Sequence, residues 1–581
     1  MQSIRLVMAG IALLTGSATV VAAESSKRPN VLVIITDDQG HGDLGLHGNP
    51  KIRTPNLDRL GRESTRFDRF YVSPVCAPTR ASLLTGRYNY RTGAVDTYLG
   101  RAMMHPEETT LAEMLAAAGY RTAIFGKWHL GDNYPMRPID QGFQEALVLR
   151  GGGLGQPSDV PGGGSYFNPV LQHNGRPERV RGYCSDVFTD AAIDYVSRDD
   201  ARPFFAYLAF NCPHTPLEAA EKDVLPYTRM DLSNDQFPRL GHPLPREANK
   251  DETARVYGMV TNIDENLGRL FARLDERKLA ENTIVVFLTD NGPQQVRYNS
   301  GMLDRKTSVH EGGIRVPCFV RWPGHFAANR VIDRIAAHID ITPTLLDACG
   351  VAPPQDVHLD GRSLLPLLNG AASSWADRTL FFQWHRGDVP ELYRAFAARS
   401  QHDKLVRPEA ARGSVERTLE LYDMEADPFE MKNVAGAHPA IVQRMKGEYE
   451  AWFKDVSATR GYDPPRIVLG SDHENPSTLT RQDWRGSRAS WEPQGLGHWE
   501  VRVERPGRYE VTLLFPPVDK PTTAHFELEG VSLDAQVPAG ASEVKLPVSQ
   551  WSAGPGRLEA WVVRGGQQVG VHYVDIFRRG D

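Results

Sequence analysis

The 581-residue chain lacks an excess of positive charge, because 66 lysines and arginines stand against 72 aspartates and glutamates, for a net charge of −6. Such a balance does not favour nucleic acid or an anionic membrane as a partner, and we predict neither. The chain also lacks a long internal repeat and a low-complexity tract. Its length exceeds what one hydrophobic core usually serves, so we expect two or three domains.

Cysteine is scarce, with five residues that match no zinc-binding spacing. An odd number in an exported protein indicates that one cysteine has a separate task, and Cys76 is the candidate. The other four are either free thiols or members of one or two disulfides, and their spacing leaves both arrangements open. They are Cys184, Cys212, Cys318 and Cys349.

Long apolar runs are missing everywhere except at the N-terminus. There, Arg5 precedes a mostly apolar stretch at 6–21, and Val21-Ala22-Ala23 supplies small residues at a cleavage position. These features predict a signal peptide over residues 1–23 and export to the periplasm or the medium. A membrane anchor is the alternative, but the run is short for a span and is interrupted by Gly10.

Short apolar runs alternate with helix-like segments between residues 27 and 370. The segment at 111–119 is typical of a helix that stops at a glycine. The alternation predicts an α/β fold with a mostly parallel sheet flanked by helices, which we take as the catalytic domain. Strand-like runs lie at 30–35, 122–125, 204–210 and 283–288.

The pattern changes in the last third of the chain. We expect residues 371–460 to form a smaller α+β subdomain and residues 466–581 to form an appended β-sandwich. Within the latter, the segments 499–503 and 509–513 alternate apolar and polar residues on either side of a Pro-Gly turn. That arrangement predicts a hairpin.

Acidic and amide side chains occur where predicted strands end. Asp37 and Asp38 come after one strand, and Asp290 and Asn291 come after another. Ligands of open α/β sheets bind at the carboxyl ends of strands, so these groups are expected to converge. Carboxylates that converge repel one another unless a cation lies between them, and oxygen ligands favour Ca²⁺ or Mg²⁺ over zinc. Taken singly, each residue is an ordinary turn residue, but two clusters favour a metal.

Cys76 lies near the start of a predicted helix. Pro78 is expected to occupy the first helical position, which would place Cys76 beside the free N–H groups that attract anions. Arg80, one turn further on, is positioned to reach the same site.

Further basic residues follow other predicted strands. Lys127 and His129 are two apart on a segment that we expect to be extended, so both should point to the same side. His214 follows the strand at 204–210, and Lys306 precedes a Glu-Gly-Gly block. Each alone would be unremarkable, but together they surround the predicted metal with positive charge.

The segment Cys76-Ala77-Pro78-Thr79-Arg80, which runs on to Thr85-Gly86-Arg87, resembles the signature of the type I sulfatases of the alkaline phosphatase superfamily. The resemblance extends from about residue 30 to about 435 and implies an alkaline-phosphatase-like fold and hydrolysis of sulfate esters. Thr79 replaces a commoner serine, and His310 stands where an aromatic residue is frequent. Further matching blocks are Gly126-Lys127-Trp128-His129, Glu311-Gly312-Gly313 and Asp360-Gly361-Arg362.

The resemblance implies a nucleophile and a metal. Cys76 would be oxidised to formylglycine by a dedicated modifying enzyme, and the hydrate of that aldehyde would attack the sulfur. One Ca²⁺ per chain would be held by Asp37, Asp38, Asp290 and Asn291 and would also contact residue 76. A divalent cation there would lower the pKa of the attacking hydroxyl.

The resemblance also implies roles for the cations. Arg80 and Lys127 would steady the hydrate and the transferring group, whose charge they would stabilise. His129 would bond the second hydroxyl and take its proton, so that sulfate leaves the covalent sulfo-enzyme and the aldehyde is restored. His214 and Lys306 would bind the sulfate near its leaving oxygen.

The predicted export suggests a sulfated carbohydrate as the substrate. The glycine-rich segment 151–164 is either simply a flexible loop or a loop that lines the mouth of the pocket. Arg297, Tyr298, His385 and Arg386 are candidates for contacts with sugar. Five tryptophans of the last domain could stack on sugars, but large aromatic side chains usually lie inside, so we expect them to form its core. They are Trp484, Trp491, Trp499, Trp551 and Trp561.

Two other functions compete with this interpretation. One is a formylglycine-dependent hydrolase of phosphodiesters or phosphonate esters. His214 and the block from Lys306 to Glu311 favour sulfate over these substrates. The other is a non-catalytic protein that binds sulfated glycans, against which the complete set of nucleophile, metal and cation positions argues.

Overall fold

The structure, a computed structural model, describes residues 28–160, 163–371, 375–408 and 419–579. The predicted signal peptide, residues 1–23, lies outside the described residues. Within these ranges, no helix combines the length and the apolar character that crossing a membrane requires.

One large sheet organises the first two thirds of the chain. Its strands are β1 Asn30–Thr36, β2 Thr65–Tyr71, β3 Arg121–Lys127, β4 Glu145–Leu149, β5 Val170–His173, β6 Arg176–Arg179, β7 Phe204–Ala209, β8 Thr283–Thr289, β9 Arg315–Arg321, β10 Arg330–Ile332 and β11 Ala336–Ala337. The central strands run parallel in the order β8, β1, β7, β3, β4, and antiparallel strands flank them. The apolar runs form the central strands because both of their faces are covered.

Helices cover both faces of this sheet. They are α1 Pro55–Glu63, α2 Cys76–Thr85, α3 Asn89–Thr92, α4 Leu111–Ala117, α5 Cys184–Val196, α6 Glu221–Thr228, α7 Lys250–Glu276, α8 Glu311–Ile314, α9 Ile341–Ala348 and α10 Leu365–Leu368. Val31, Val33 and Ile35 of β1 share a core with α2, α4 and α9. Leu32 and Ile34 share the opposite core with α1, α5 and α7. The predicted α/β fold with a mostly parallel sheet is confirmed.

A smaller antiparallel sheet follows. Its strands are β12 Leu380–Gln383, β13 Phe396–Arg399, β14 Asp403–Arg407 and β15 Glu420–Asp423, and helix α11, Pro439–Ser457, comes after them. The helix packs its buried face, with Met445, Tyr449 and Trp452, against this sheet.

Two further sheets enclose a common core at the C-terminal end. One contains β16 Ile467–Leu469, β18 His498–Val503, β20 Thr522–Leu528, β21 Val531–Val537, β24 Gly554–Arg564 and β25 Gln567–Gly570. The other contains β17 Ser477–Thr480, β19 Gly507–Leu514, β22 Glu543–Lys545, β23 Ser549–Trp551 and β26 Tyr573–Arg578. The rings of Phe526 and Trp551, one from each sheet, have centroids 5.7 Å apart. The two sheets are therefore packed as a sandwich, as expected.

The predicted hairpin is wrong. Strand β18 pairs with β16 and β24, whereas β19 pairs with β22, β23 and β26 in the other sheet. Alternation of apolar and polar residues identifies a strand with one buried face, but it does not identify the neighbour. The turn at Pro506 carries the chain across the sandwich instead of folding it back within one sheet.

All five cysteines lie within the described residues, and each is a buried free thiol. Cys184 and Cys212 belong to one core of the large sheet, and Cys318 and Cys349 belong to the other. The structure therefore favours free thiols over disulfides for these four.

Candidate active site

The carboxylates meet because their strands are neighbours. Thr36 of β1 pairs with Thr289 of β8 in parallel register, so both chains leave the sheet at the same edge. The Asp290 amide donates to the Thr36 carbonyl at 3.0 Å, and the Asp38 amide donates to Asp290 Oδ1 at 3.2 Å. The predicted convergence of the two clusters at the carboxyl ends of the strands is present in the structure.

Cys76 lies against these carboxylates. Its Sγ and one carboxylate oxygen each of Asp37 and Asp290 all lie within 4.8 Å of one another. Cys76 is the first residue of α2, which makes Pro78 its third, because Val75 and not Ala77 is the extended residue before the helix. Burial raises the pKa of the Cys76 thiol, so the unmodified residue is protonated and a weak nucleophile.

Each carboxylate is paired with one cation. Lys127 Nζ lies 2.6 Å from Asp37 Oδ2, and Lys306 Nζ lies 2.6 Å from Asp38 Oδ1. The Arg80 guanidinium donates to Asp290 Oδ2 at 2.9 and 3.1 Å. We call these three pairs the ionic cluster, which comprises Asp37, Asp38, Arg80, Lys127, Asp290 and Lys306.

The ionic cluster is electrostatically uneven. Burial, together with the charge on Asp37, raises the pKa of Asp290 to about 7. Burial acts in the same direction on Asp38, but Lys306 and His214 outweigh it and hold the pKa of Asp38 below its usual range. Positive charge on the Asp37 and Asp290 side of the cluster would relieve this repulsion.

Several oxygens at this edge fit a metal ion. Asp37 Oδ1, Asp38 Oδ2 and Asn291 Oδ1 are buried without a hydrogen-bond partner. The Asn291 amide nitrogen donates to Asp38 Oδ1 at 2.7 Å, which leaves its own oxygen free. Buried polar atoms normally have partners. Because the orphaned atoms are all hard oxygens, Ca²⁺ or Mg²⁺ would satisfy them.

The two histidines each have one ring nitrogen engaged. His129 Nε2 lies 2.7 Å from the Thr97 carbonyl, and its Nδ1 is buried without a partner. His214 Nδ1 lies 2.7 Å from the Thr215 carbonyl. Burial lowers the pKa of both, that of His214 to about 3. The expected extended segment is wrong at His129, whose φ is 62°.

An open cavity of about 770 Å³ leads to this site, and Cys76, His129, His214 and Lys306 line it. Gly152 of the glycine-rich loop also lines it, which agrees with a loop at the pocket mouth. A Cβ at Gly152 would come within 2.7 Å of the His129 ring, so the loop packs against the histidine only because this residue is glycine.

One wall of the cavity is aromatic and basic. Tyr98, Arg386 and Trp491 line it, and we call these three residues the aromatic wall. Sequence reasoning selected Arg386, missed Tyr98 and expected Trp491 to belong to the core of the sandwich. Trp491 is only partly buried, whereas Trp484 lies fully inside as predicted.

The other proposed sugar contacts do not line this cavity. Arg297 is buried and pairs with Asp43 at 2.6 Å. Tyr298 stacks on Phe237 with centroids 5.1 Å apart, and His385 is also buried. Arg297 and Tyr298 line a neighbouring cavity of about 960 Å³ instead.

Family models and curated relatives match much of this chain. Residues 29–351 match the sulfatase family, and residues 299–453 match the C-terminal region of N-sulphoglucosamine sulphohydrolase. Human arylsulfatase A is 32% identical over 77% of this chain and 92% of its own length. N-acetylgalactosamine-6-sulfatase of Canis lupus familiaris is 32% identical over 65% and 72%. N-acetylglucosamine-6-O-sulfatase of Bacteroides thetaiotaomicron is 27% identical over 71% and 84%.

A solved structure shares the architecture. Ps i-CgsB in complex with k-i-k-neocarrahexaose superimposes with a TM-score of 0.63 at 27% identity, over 75% of this chain and 95% of that one. The phosphonate monoester hydrolase of Agrobacterium radiobacter, at 22% identity and a TM-score of 0.53, shares the fold alone. The family match covers more than half of this chain, and the chain therefore belongs to the sulfatase family, within the alkaline phosphatase-like superfamily, and is a hydrolase of sulfate esters.

Proposed function

We propose that this sulfatase removes sulfate from a sulfated carbohydrate, with formylglycine made from Cys76 as its nucleophile and Ca²⁺ as its metal. The observation that carries the proposal is the set of orphaned, buried oxygens on Asp37, Asp38 and Asn291. Cys76, whose Sγ lies within 4.8 Å of a carboxylate oxygen of Asp37, lines the cavity. Relatives named for N-acetylgalactosamine and N-acetylglucosamine sulfates support the sugar class. So does the oligosaccharide bound to Ps i-CgsB.

Asp37, Asp38, Asp290 and Asn291 would hold the metal. When bound, Ca²⁺ supplies positive charge that lowers the pKa of a neighbouring hydroxyl and offsets negative charge in the transition state. Oxidation of Cys76 by the modifying enzyme would give an aldehyde, and addition of water to that aldehyde would supply a hydroxyl nucleophile, which the neutral thiol cannot.

The remaining residues would manage charge and protons. Since a carbonyl can only accept, His129 donates Nε2–H to Thr97, and its Nδ1 is left as a proton acceptor. His214 likewise donates from Nδ1, so it can give a proton to a leaving oxygen only when doubly protonated. An anionic sulfate beside it would favour that state. Lys306 supplies fixed positive charge at the same end of the cavity.

The reaction class is tested with 4-nitrophenyl sulfate and bis(4-nitrophenyl) phosphate, after mass spectrometry has verified formylglycine at position 76. We expect the sulfate ester to be turned over faster. Faster turnover of the phosphodiester would contradict the proposal and support a phosphoesterase.

We also propose that residues 1–23 direct export, on the sequence features described above. N-terminal sequencing of protein recovered from the periplasm or medium would start at Glu24. Recovery of the full-length N-terminus from the cytoplasm would contradict export.

A further inference from the structure

The aromatic wall is assembled from three distant parts of the chain. Tyr98 follows α3, Arg386 follows β12 of the small sheet, and Trp491 belongs to the appended sandwich. The rings of Trp491 and Tyr98 meet edge to face, with centroids 5.0 Å apart at 78°. The Arg386 guanidinium carbon lies 4.4 Å from the Tyr98 centroid. All three border the cavity that holds Cys76.

Arg386 is held in place while its charge stays accessible. Its Nη1 donates to Asp96 Oδ1 at 2.7 Å and to Thr97 Oγ1 at 3.1 Å. Trp384 donates from its indole to the same Asp96 oxygen, and the Arg386 side chain is still 44% exposed. A guanidinium that is fixed on one side and open on the other suits an anionic ligand.

The sandwich is bonded to the loop that carries Tyr98. The Gly100 amide donates to the Gln482 carbonyl at 2.8 Å, and Gln482 Nε2 donates to the Thr97 carbonyl at 3.1 Å. Leu99 is buried in the core of the sandwich. The Thr97 carbonyl that receives Gln482 also receives His129. The sandwich thus borders the cavity with Trp491 and is also bonded to the loop that carries Tyr98.

We propose that Tyr98, Arg386 and Trp491 form a subsite for a sugar ring of an anionic carbohydrate, and that the appended sandwich is therefore part of the substrate site. This inference rests on the proposed function. Aromatic rings present apolar faces to the C–H surface of a sugar, and a few placed polar groups fix orientation in such pockets. Arg386 would pair with an acidic or sulfated group on that ring, and Trp491 would pack against the ring itself.

The test compares Trp491→Ala and Trp491→Phe with wild type. The substrates are 4-nitrophenyl sulfate and whichever hexasaccharide wild type hydrolyses fastest among those of chondroitin 6-sulfate, heparin and k-i-k-neocarrahexaose. We expect Trp491→Ala to raise KM for the hexasaccharide about tenfold while kcat changes less than twofold. Trp491→Phe should restore most of the affinity, and kcat/KM for 4-nitrophenyl sulfate should stay within twofold.

The control is Phe577→Ala, which removes an exposed aromatic side chain of the same sandwich that does not line the cavity. It should leave both substrates unaffected. Equal losses on both substrates, or no change in KM for the hexasaccharide, would overturn the subsite. So would a wild-type enzyme that cleaves 4-nitrophenyl sulfate but no hexasaccharide. If wild type released sulfate from neither kind of substrate, the proposed function itself would have failed.

Discussion

The ionic cluster reaches the cavity through Lys306, and the aromatic wall lines the same cavity, but the two are built in opposite ways. The cluster is almost wholly buried, and carboxylates that follow the adjacent strands β1 and β8 are paired across 2.6 to 3.1 Å with cations from α2, β3 and the loop after β8. The wall is partly exposed and unites a loop, the small sheet and the appended sandwich. The carboxylates of the cluster are thus positioned by the topology of one sheet. The aromatic wall, in contrast, depends on how separate parts of the chain pack together.

Replacing the nucleophile should produce the largest effect. Cys76→Ala is expected to lower sulfate release by about 10⁴-fold or more, because it removes the side chain that we propose as the source of the nucleophile. The change is measured on 4-nitrophenyl sulfate and on sulfated saccharides together. Cys318→Ala, which removes a buried thiol elsewhere, is the matched control and should retain activity. Turnover by Cys76→Ala close to that of wild type would show that Cys76 does not supply the nucleophile.

Removing the metal should be nearly as damaging. Dialysis against EGTA is expected to reduce activity at least about 100-fold, since the proposed hydroxyl nucleophile would lose the cation proposed to activate it. The melting temperature should also fall, because Asp37 and Asp290 are left to repel each other. Added Ca²⁺ should restore both readouts. If elemental analysis showed the protein to be metal-free while its activity and melting temperature were unchanged, the metal would have no role in catalysis or stability.

A smaller effect is expected where the glycine-rich loop packs against His129. Gly152→Ala should lower kcat about tenfold, because the new Cβ would displace the His129 ring. Gly447→Ala, at a position of α11 with nothing near its Cβ, is the control. It should keep full activity and gain slight stability, as alanine favours helix. Equal activity of Gly152→Ala and wild type would show that catalysis does not require the close packing of residue 152 against the His129 ring.

The smallest effect concerns how stability depends on pH at Asp159, in the glycine-rich loop. Burial raises the pKa of the Asp159 carboxyl to about 7. The backbone carbonyl of the same residue accepts a hydrogen bond from Tyr573 of the sandwich. This pKa is higher in the folded chain than in the unfolded chain. The protonated Asp159 carboxyl therefore makes its full contribution to stability below about pH 4, and that contribution is lost as the pH rises through 7. The melting temperature of Asp159→Asn should therefore fall less than that of wild type between pH 5 and pH 8. An equal fall in melting temperature for both proteins between pH 5 and pH 8 would contradict a raised pKa of Asp159.

The ionic cluster could be predicted from the sequence because strand ends in a parallel sheet share an edge. Asp37, Asp290 and Lys127 each follow a strand that the apolar pattern identified. The aromatic wall could not be predicted, since nothing local relates Tyr98 to Trp491. The preference of tryptophan for the interior favoured the core, which is right for Trp484, whereas Trp491 packs against the edge of that core and also lines the cavity. For the same reason, alternation identified strands β18 and β19 but not their partners.

The most direct test of the account measures sulfate release from sulfated mono-, oligo- and polysaccharides, with Cys76→Ala as the blank and formylglycine verified at position 76. The panel includes the 6-sulfates of N-acetylgalactosamine and N-acetylglucosamine. We predict release above the blank that is confined to one sugar and one position. Release from 4-nitrophenyl sulfate but from no saccharide would contradict a carbohydrate substrate.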